Sequence, residues 1–262
     1  MTPSHSSSSL VSRSMGTGPD LVFLHGWGMN SGAFSSFTPL LDHAYRITLI
    51  DLPGFGNNAA HVPSPYTLAS LTDSVSALIP QGSVVAGWSL GGMVAQELVK
   101  TRQDIRALVT IASSPRFVAG QCWPGISPDL LAQFEDQLEH DYKKTIERFL
   151  AIQAMGSATA RHDIKAIRTA IEGFPSPSPQ ALQAGLRILG QADQRDWVGR
   201  LSVPTLRIFG RLDSLVPTSA IDRMCELHPQ ADTVVLPHAS HAPFISHPEQ
   251  TASILDKFIA AL

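Results

Sequence analysis

The sequence predicts an α/β protein whose mostly parallel central sheet is covered by helices on both faces and interrupted by an all-helical insertion. Three observations lead to this prediction. Short runs rich in valine, isoleucine and leucine alternate with stretches of helical periodicity. Most of these runs lack apolar/polar alternation, which is typical of strands buried on both faces. Residues 115–199 carry helical patterns and no convincing strand, which indicates the insertion.

The elements follow in chain order. Residues 1–9 are polar and serine-rich, so we expect a disordered tail rather than a secretory signal. Leu10 and Val11 are expected to open a first strand, with residues 15–18 as a hairpin connection to the next strand. Further strands are predicted at 21–24, 46–50, 84–87, 107–112, 205–209 and 233–236, and helices at 68–79, 90–100, 218–227 and 248–262. Such alternation is typical of a doubly wound sheet.

The insertion divides a core of residues 10–114 and 200–262. Within it, Ser127-Pro128 and Ser178-Pro179 predict helix starts, because proline is favoured in the first helical turn. Open α/β sheets bind ligands at the carboxyl ends of their strands. We therefore expect residues 115–199 to form a cap over that edge of the sheet.

Composition excludes several classes of protein. The 262 residues, 44% of them hydrophobic, suffice for a sizeable core. A formal net charge of -3 argues against a nucleic-acid-binding protein. No apolar run approaches the ~18 residues that a membrane helix needs. Cys122 and Cys225 form neither a disulfide framework nor a metal-binding pair, which favours a reducing cytoplasm.

The segment GWSLG at 87–91 carries the strongest functional signal. It follows a predicted strand and opens a predicted helix, the context in which G-x-S-x-G forms a nucleophile elbow. A tight turn there would raise the hydroxyl of Ser89 above the sheet. It would also place the amide of Leu90 at a helix N-terminus, where an oxyanion is stabilised. A serine nucleophile is therefore predicted.

Serine needs a base and a carboxylate behind it. Among three histidines after the last strand, His241 is favoured, because His238 lies too close to the strand and His247 precedes a helix start. Asp213 follows the strand at 205–209 and would share an edge with Ser89, although an ordinary turn residue is the alternative. The order Ser, Asp, His is that of the α/β-hydrolases.

A second oxyanion donor is expected from the loop after an early strand. The segment HGWG at 25–28 fits, because its glycines allow the backbone to turn inward and present the N–H of Trp27 beside that of Leu90. The sequence contains no HExxH and no P-loop motif, so neither a metal nor a cofactor is expected.

These residues resemble the α/β-hydrolase superfamily across residues 10–262. They resemble more closely the pimeloyl-acyl-carrier-protein methyl ester esterases of biotin synthesis, through HGWGMN at 25–30, DLPGFG at 51–56, GWSLGG at 87–92, ERFLAIQAMG at 147–156 and HAPFISHP at 241–248. The resemblance implies hydrolysis of that methyl ester by a triad of Ser89, Asp213 and His241. It also implies a substrate site formed by Trp27, Ser89, Leu90, Phe149, Leu150, Ala151, Ile152, Gln153 and His241.

The predicted cap is locally basic. The pairs Lys144/Arg148 and Arg161/Lys165 have i,i+4 spacing, so each pair shares one face of its helix. A solvated helix face is the plain interpretation. The resemblance favours a docking surface for an acidic acyl-carrier protein, met transiently by a monomeric enzyme. The alternatives are a short-chain carboxylesterase without a carrier, a cofactor-free C–C hydrolase or perhydrolase, and a non-catalytic receptor.

Overall fold

The computed structural model describes residues 10–262, and the tail predicted at 1–9 lies outside the described residues. At its centre is a seven-stranded sheet of order β1-β3-β2-β4-β5-β6-β7. The strands are Ser12–Met15 (β1), Asp20–Leu24 (β2), Arg46–Ile50 (β3), Val84–Trp88 (β4), Ala107–Ile111 (β5), Thr205–Gly210 (β6) and Asp232–Leu236 (β7). β1 is antiparallel to β3, and the other neighbours are parallel. The predicted α/β fold is confirmed.

Helices cover both faces of this sheet. They are Leu68–Ser76 (α1), Leu90–Thr101 (α2), Pro128–His140 (α3), Tyr142–Gln153 (α4), Ala160–Glu172 (α5), Pro179–Gln191 (α6), Arg195–Val198 (α7), Thr218–Leu227 (α8), Pro243–Ser246 (α9) and Pro248–Ala260 (α10). Successive strand residues point to opposite faces. Val22 and Leu24 accordingly join one buried apolar cluster, while Leu21 and Phe23 join a second.

Two local expectations are wrong. The first strand begins at Ser12, and it pairs with β3 rather than forming a hairpin with β2. The turn after β1 contains Gly16 at φ 76° and Gly18 at φ 120°, and it carries the chain past β3 before β2 begins. The first long helix ends at Ser76 rather than at residue 79. Pro80 disfavours helical backbone in the residue that precedes it.

The segment between β5 and β6 contains the helices α3 to α7, and we keep the name cap for residues 115–199. The ends of the cap are held together. The amide of Gln194 donates to the carbonyl of Pro115 at 2.9 Å, and Arg116 binds Asp193 at 2.8 Å. Hydrogen bonds from Arg195, and then from Arg116, hold the pKa of Asp193 well below its usual range. The boundaries at 115 and 199 stay a prediction.

The cap lies over the carboxyl ends of the strands. Leu182 of α6 accepts a hydrogen bond from the indole of Trp27, which follows β2, at 2.8 Å. Ser178, just before α6, donates its amide to Gly54, which follows β3. These contacts place the cap over the edge of the sheet where the strands end and the loops with the predicted site residues begin. None of the helices in residues 10–262 combines the length and the apolar composition that crossing a bilayer requires.

A buried arginine on β6, Arg207, disfavours protonation of His228, which follows α8. Nη2 of Arg207 donates to Nδ1 of His228 at 3.0 Å, and both residues are buried. Burial lowers the pKa of Arg207 to about 10, so the guanidinium stays charged at neutral pH. Burial and this neighbouring positive charge lower the pKa of His228. The folded chain therefore holds His228 neutral.

The Arg207–His228 pair predicts that the folded chain loses stability at acidic pH. Because the pKa of His228 is lower in the folded chain than the value of about 6.5 expected on unfolding, the unfolded chain takes up the proton first, and the free energy of unfolding falls as pH drops through that value. His228→Asn keeps an acceptor for Arg207 and cannot be protonated, so it should flatten the decline. Urea unfolding between pH 5 and 8 measures the slope. The exposed His238→Asn is the control, and equal slopes for wild type and His228→Asn would contradict the prediction.

Candidate active site

Ser89 lies at the tight turn between β4 and α2. Its backbone has φ 55° and ψ -118°, a conformation that is unfavourable for a residue with a side chain. The amide of Ser89 donates to Ile111 at 3.0 Å, and Ser113 donates to the Ser89 carbonyl at 2.7 Å. A side chain at Gly91 would collide with the carbonyl oxygens of Leu24 and His25. Glycine there lets α2 approach β2 closely enough to hold the turn.

Asp213 and His241 are joined by a buried hydrogen bond. Nδ1 of His241 donates to Oδ2 of Asp213 at 2.7 Å, and both side chains are fully buried. Oδ1 of Asp213 accepts the amides of Leu215 at 2.8 Å and Val216 at 3.1 Å. The carboxylate is thereby fixed by three donors, and the imidazole is left with Nε2 free to act as an acceptor. The carbonyl of His241 accepts the indole N–H of Trp88 at 2.8 Å.

The structure separates the three candidate histidines. His238 is exposed. His247 directly precedes α10 as its N-cap residue, and its side chain contacts the Ser246 hydroxyl at 2.8 Å. His241 is the one that contacts Asp213, and within residues 10–262 its Nε2 has no hydrogen-bond partner. The described residues therefore show no hydrogen bond between Ser89 and His241. Without substrate, the hydrogen bond between nucleophile and base is often long or poorly aligned and tightens only on binding.

Two buried backbone amides face no acceptor. Trp27 and Leu90 are both fully buried. Within the described residues, the backbone N–H of each makes no hydrogen bond. Buried amides without a partner are rare in folded proteins. His25 shapes the Trp27 loop, because its Nδ1 donates to Gly26 at 2.8 Å and its Nε2 accepts the amide of Leu52 at 2.9 Å.

The cap segment 149–153 divides into buried and accessible residues. Phe149 packs edge-on against Trp27 with ring centroids 4.8 Å apart, and Leu150 is also buried. Ile152 is half-buried and Ala151 is exposed, so the structure does not bring Ala151 into the buried site. The side-chain amide of Gln153 is buried, and neither its oxygen nor its nitrogen has a partner in residues 10–262. That amide is available to a bound molecule.

The four predicted docking residues lie exposed on neighbouring helices. Lys144 and Arg148 lie on α4, and Arg161 and Lys165 on α5. An ion pair at 3.6 Å between Glu147 of α4 and Arg168 of α5 joins the exposed faces of the two helices. Within the described chain, none of the four has a carboxylate partner. The guanidinium of Arg148 is held by two glutamines of α3 and stacks on the Phe134 ring.

Some contacts of the site had no signal in the sequence. The indole of Trp27 anchors the loop after β2 to the cap, and the amide of His241 donates to the carbonyl of Gln153 at 3.1 Å. Both contacts join segments that are far apart in the chain, so no local sequence pattern predicts them. Residues 10–262 hold no group of three or more side chains arranged to bind a metal ion.

The fold and this arrangement place the chain in a known class. It belongs to the α/β hydrolase family, whose sequence profile matches residues 19–248. Within that family it groups with the pimeloyl-[acyl-carrier protein] methyl ester esterases. The relative from Aeromonas hydrophila is 49% identical over 93% of this chain and 96% of its own length. The relative from Photobacterium profundum is 44% identical, again over 93% of this chain and 96% of the relative.

Solved structures support the fold alone. An esterase from Exiguobacterium antarcticum superimposes with a TM-score of 0.83 at 20% identity, covering 96% of this chain and 95% of that one. An enol-lactonase from Burkholderia xenovorans gives 0.81 at 17% identity, covering 96% of each chain. At such low identity one architecture hosts different activities.

The close approach at Gly91 predicts a severe substitution. Gly91→Ala would force α2 away from β2 and displace Ser89, at a cost in unfolding free energy of about 1–3 kcal/mol. We expect hydrolysis of p-nitrophenyl acetate to fall at least tenfold. Gly173→Ala is the matched control, because its added carbon meets nothing within 4 Å. Equal stability and activity in the two variants would show that the close contact at residue 91 is unimportant.

Proposed function

We propose that this chain is a serine carboxylesterase of the cytoplasm that hydrolyses the methyl ester of pimeloyl-[acyl-carrier protein] in biotin biosynthesis. The products are pimeloyl-[acyl-carrier protein] and methanol. The observation that carries the proposal is the buried His241–Asp213 pair together with an elbow serine at the same edge of the sheet, in a chain whose relatives share that named activity. The chain acts as a monomer that meets the carrier transiently.

The mechanism follows from the geometry. His241 takes the proton of Ser89 through its unpartnered Nε2, and the oxygen of Ser89 attacks the ester carbonyl. The N–H groups of Trp27 and Leu90 stabilise the oxyanion, and removing one such donor typically costs about 3–4 kcal/mol. Methanol leaves with the proton from His241. Water, deprotonated by His241, then releases the free acid.

Asp213 has an orienting role in both steps. Its carboxylate accepts a hydrogen bond from the Nδ1–H of His241, so Nε2 is the basic nitrogen. The carboxylate also stabilises the imidazolium that forms in each step. Its own two backbone donors, from Leu215 and Val216, hold the carboxylate in place while the charge on the ring changes.

The acyl chain would lie between the Trp27 loop and α4. Phe149 and Leu150 supply apolar surface there. Leaving a buried amide unpaired costs about 1–3 kcal/mol. A polar group of the substrate that bonds the side chain of Gln153 would recover that energy, which supports a place for this residue in the substrate site. Ile152 and Ala151 stay candidates at its margin.

Carrier recognition would use the basic residues of α4 and α5. A cavity of about 260 Å³ opens between these helices and the loop that contains Gly28, with Lys143 and Ile146 in its wall. A carrier docked on Lys144, Arg148, Arg161 and Lys165 would direct its acyl arm toward this opening. Docking would hold the thioester away from Ser89 and bring the distal methyl ester to it. Selectivity between the two esters would then be positional.

The first test measures methanol released from the pimeloyl-carrier methyl ester. Wild type should turn over, and Ser89→Ala should lose at least a thousandfold in kcat because the nucleophile is gone. The same variant should lose hydrolysis of p-nitrophenyl acetate. If the wild type hydrolyses p-nitrophenyl acetate but releases no methanol from the carrier ester, the assignment as a serine esterase stands and the proposed carrier substrate is rejected. Retained turnover in Ser89→Ala would reject the mechanism.

A second test concerns docking. Reversing charge in Arg148→Glu/Arg161→Glu should raise KM for the carrier ester about tenfold or more and leave KM for p-nitrophenyl acetate within twofold, because rim charges act on encounter with a charged partner. Higher salt should weaken the wild-type carrier reaction in the same selective way. Arg13→Glu, an exposed change on β1, is the control. Equal salt dependence for both substrates would overturn carrier docking on the cap.

A further inference from the structure

The carboxyl-terminal end of α4 is capped by the loops that carry Asp213 and His241. The last carbonyl groups of a helix lack partners within the helix. Here Ser214 donates its hydroxyl to Ile152 at 3.3 Å. The amide of His241 donates to Gln153, the last residue of α4, at 3.1 Å. The hydroxyl of Ser240 donates at 3.1 Å to Met155, which lies two residues past the end of the helix. The helix end in the cap is therefore completed by donors from the core.

Ser240 occupies the central position among these contacts. Its side-chain oxygen is also 3.3 Å from the carbonyl of Leu212. Leu212 directly precedes Asp213, and Ser240 directly precedes His241. One hydroxyl thus lies between the loop of the acid, the loop of the base and the end of α4. The residue is 3% exposed, so water competes little for these hydrogen bonds.

The same helix reaches the other parts of the site. Phe149 of α4 packs against Trp27, whose amide is one of the proposed oxyanion donors. Five residues before Phe149, about one and a half turns, Lys144 lies on the exposed surface of α4. A hydrogen-bonded helix moves largely as a rigid unit, so its position fixes the Trp27 loop and the His241 loop relative to each other. A loose α4 end would loosen both.

We propose that Ser240, assisted by Ser214, is a positioning residue that fixes His241 against α4 and so aims Nε2 at Ser89. The inference rests on the proposed function, because it takes His241 as the base. Nε2 has no hydrogen-bond partner in residues 10–262, so no hydrogen bond on that side of the ring holds it in place. Its aim depends on the bond to Asp213 and on the backbone anchors around residues 240 and 241.

The test compares Ser240→Ala with Ser246→Ala. Ser246 ends α9, and its hydroxyl donates to the carbonyl of Ala242 at the start of that helix. Within residues 10–262 it makes no hydrogen bond to the cap. With p-nitrophenyl acetate, Ser240→Ala should lower kcat about five- to twentyfold and leave KM within twofold, while Ser246→Ala behaves as wild type. A purely structural role would instead lower the fraction of active sites, which a burst titration counts, and leave kcat per active site unchanged.

Two further variants keep the inference falsifiable if Ser240→Ala folds poorly. Ser240→Thr retains the hydroxyl and should restore at least half of the wild-type kcat. Ser214→Ala removes the parallel anchor and should lower kcat per active site about two- to fivefold. Wild-type kcat per site in Ser240→Ala, or in Ser214→Ala where the former does not fold, overturns the inference. Because Ser89→Ala tests the triad in the same assay, a failed positioning role is distinguishable from a failed mechanism.

Discussion

The buried hydrogen bond between His241 and Asp213 requires loops from two neighbouring strands to meet under the cap. The acid follows β6 and the base follows β7, and these strands are parallel neighbours in the sheet. Their carboxyl ends consequently lie side by side, at the same edge as the turn that carries Ser89. Water is excluded from the pair, so its electrostatic interaction is stronger than on the surface. The sheet order brings the two loops together, and the cap covers them.

Much of the fold could be predicted because its signals are local. A strand buried on both faces needs continuous apolar residues, and the helices at Pro128 and Pro179 begin where proline follows serine. The partner of β1 could not be predicted in this way. Its short polar sequence carries no periodicity that distinguishes pairing with β3 from pairing with β2. Strand pairing between distant segments depends on the tertiary arrangement rather than on local pattern.

The candidate site likewise has features that local sequence reveals and features that depend on tertiary packing. The elbow motif and the order of Ser89, Asp213 and His241 in the chain are visible in sequence. The unpaired amides of Trp27 and Leu90, and the unpaired side chain of Gln153, are properties of packing. They arise where backbone or side-chain groups from core and cap enclose a space, so residue types alone do not reveal them. The glutamines that steady Arg148 belong to the same class, because they come from another helix.

The contacts that join the two ends of the cap affect how such proteins can evolve. The amide of Gln194 and the side chain of Asp193 meet Pro115 and Arg116, so the cap leaves the core almost where it entered. β5 and β6 remain adjacent whatever lies between those points. An insertion with its ends pinned together can be lengthened, trimmed or exchanged without altering strand register. Substrate preference can therefore diverge among descendants of one ancestor while the reacting groups are inherited unchanged.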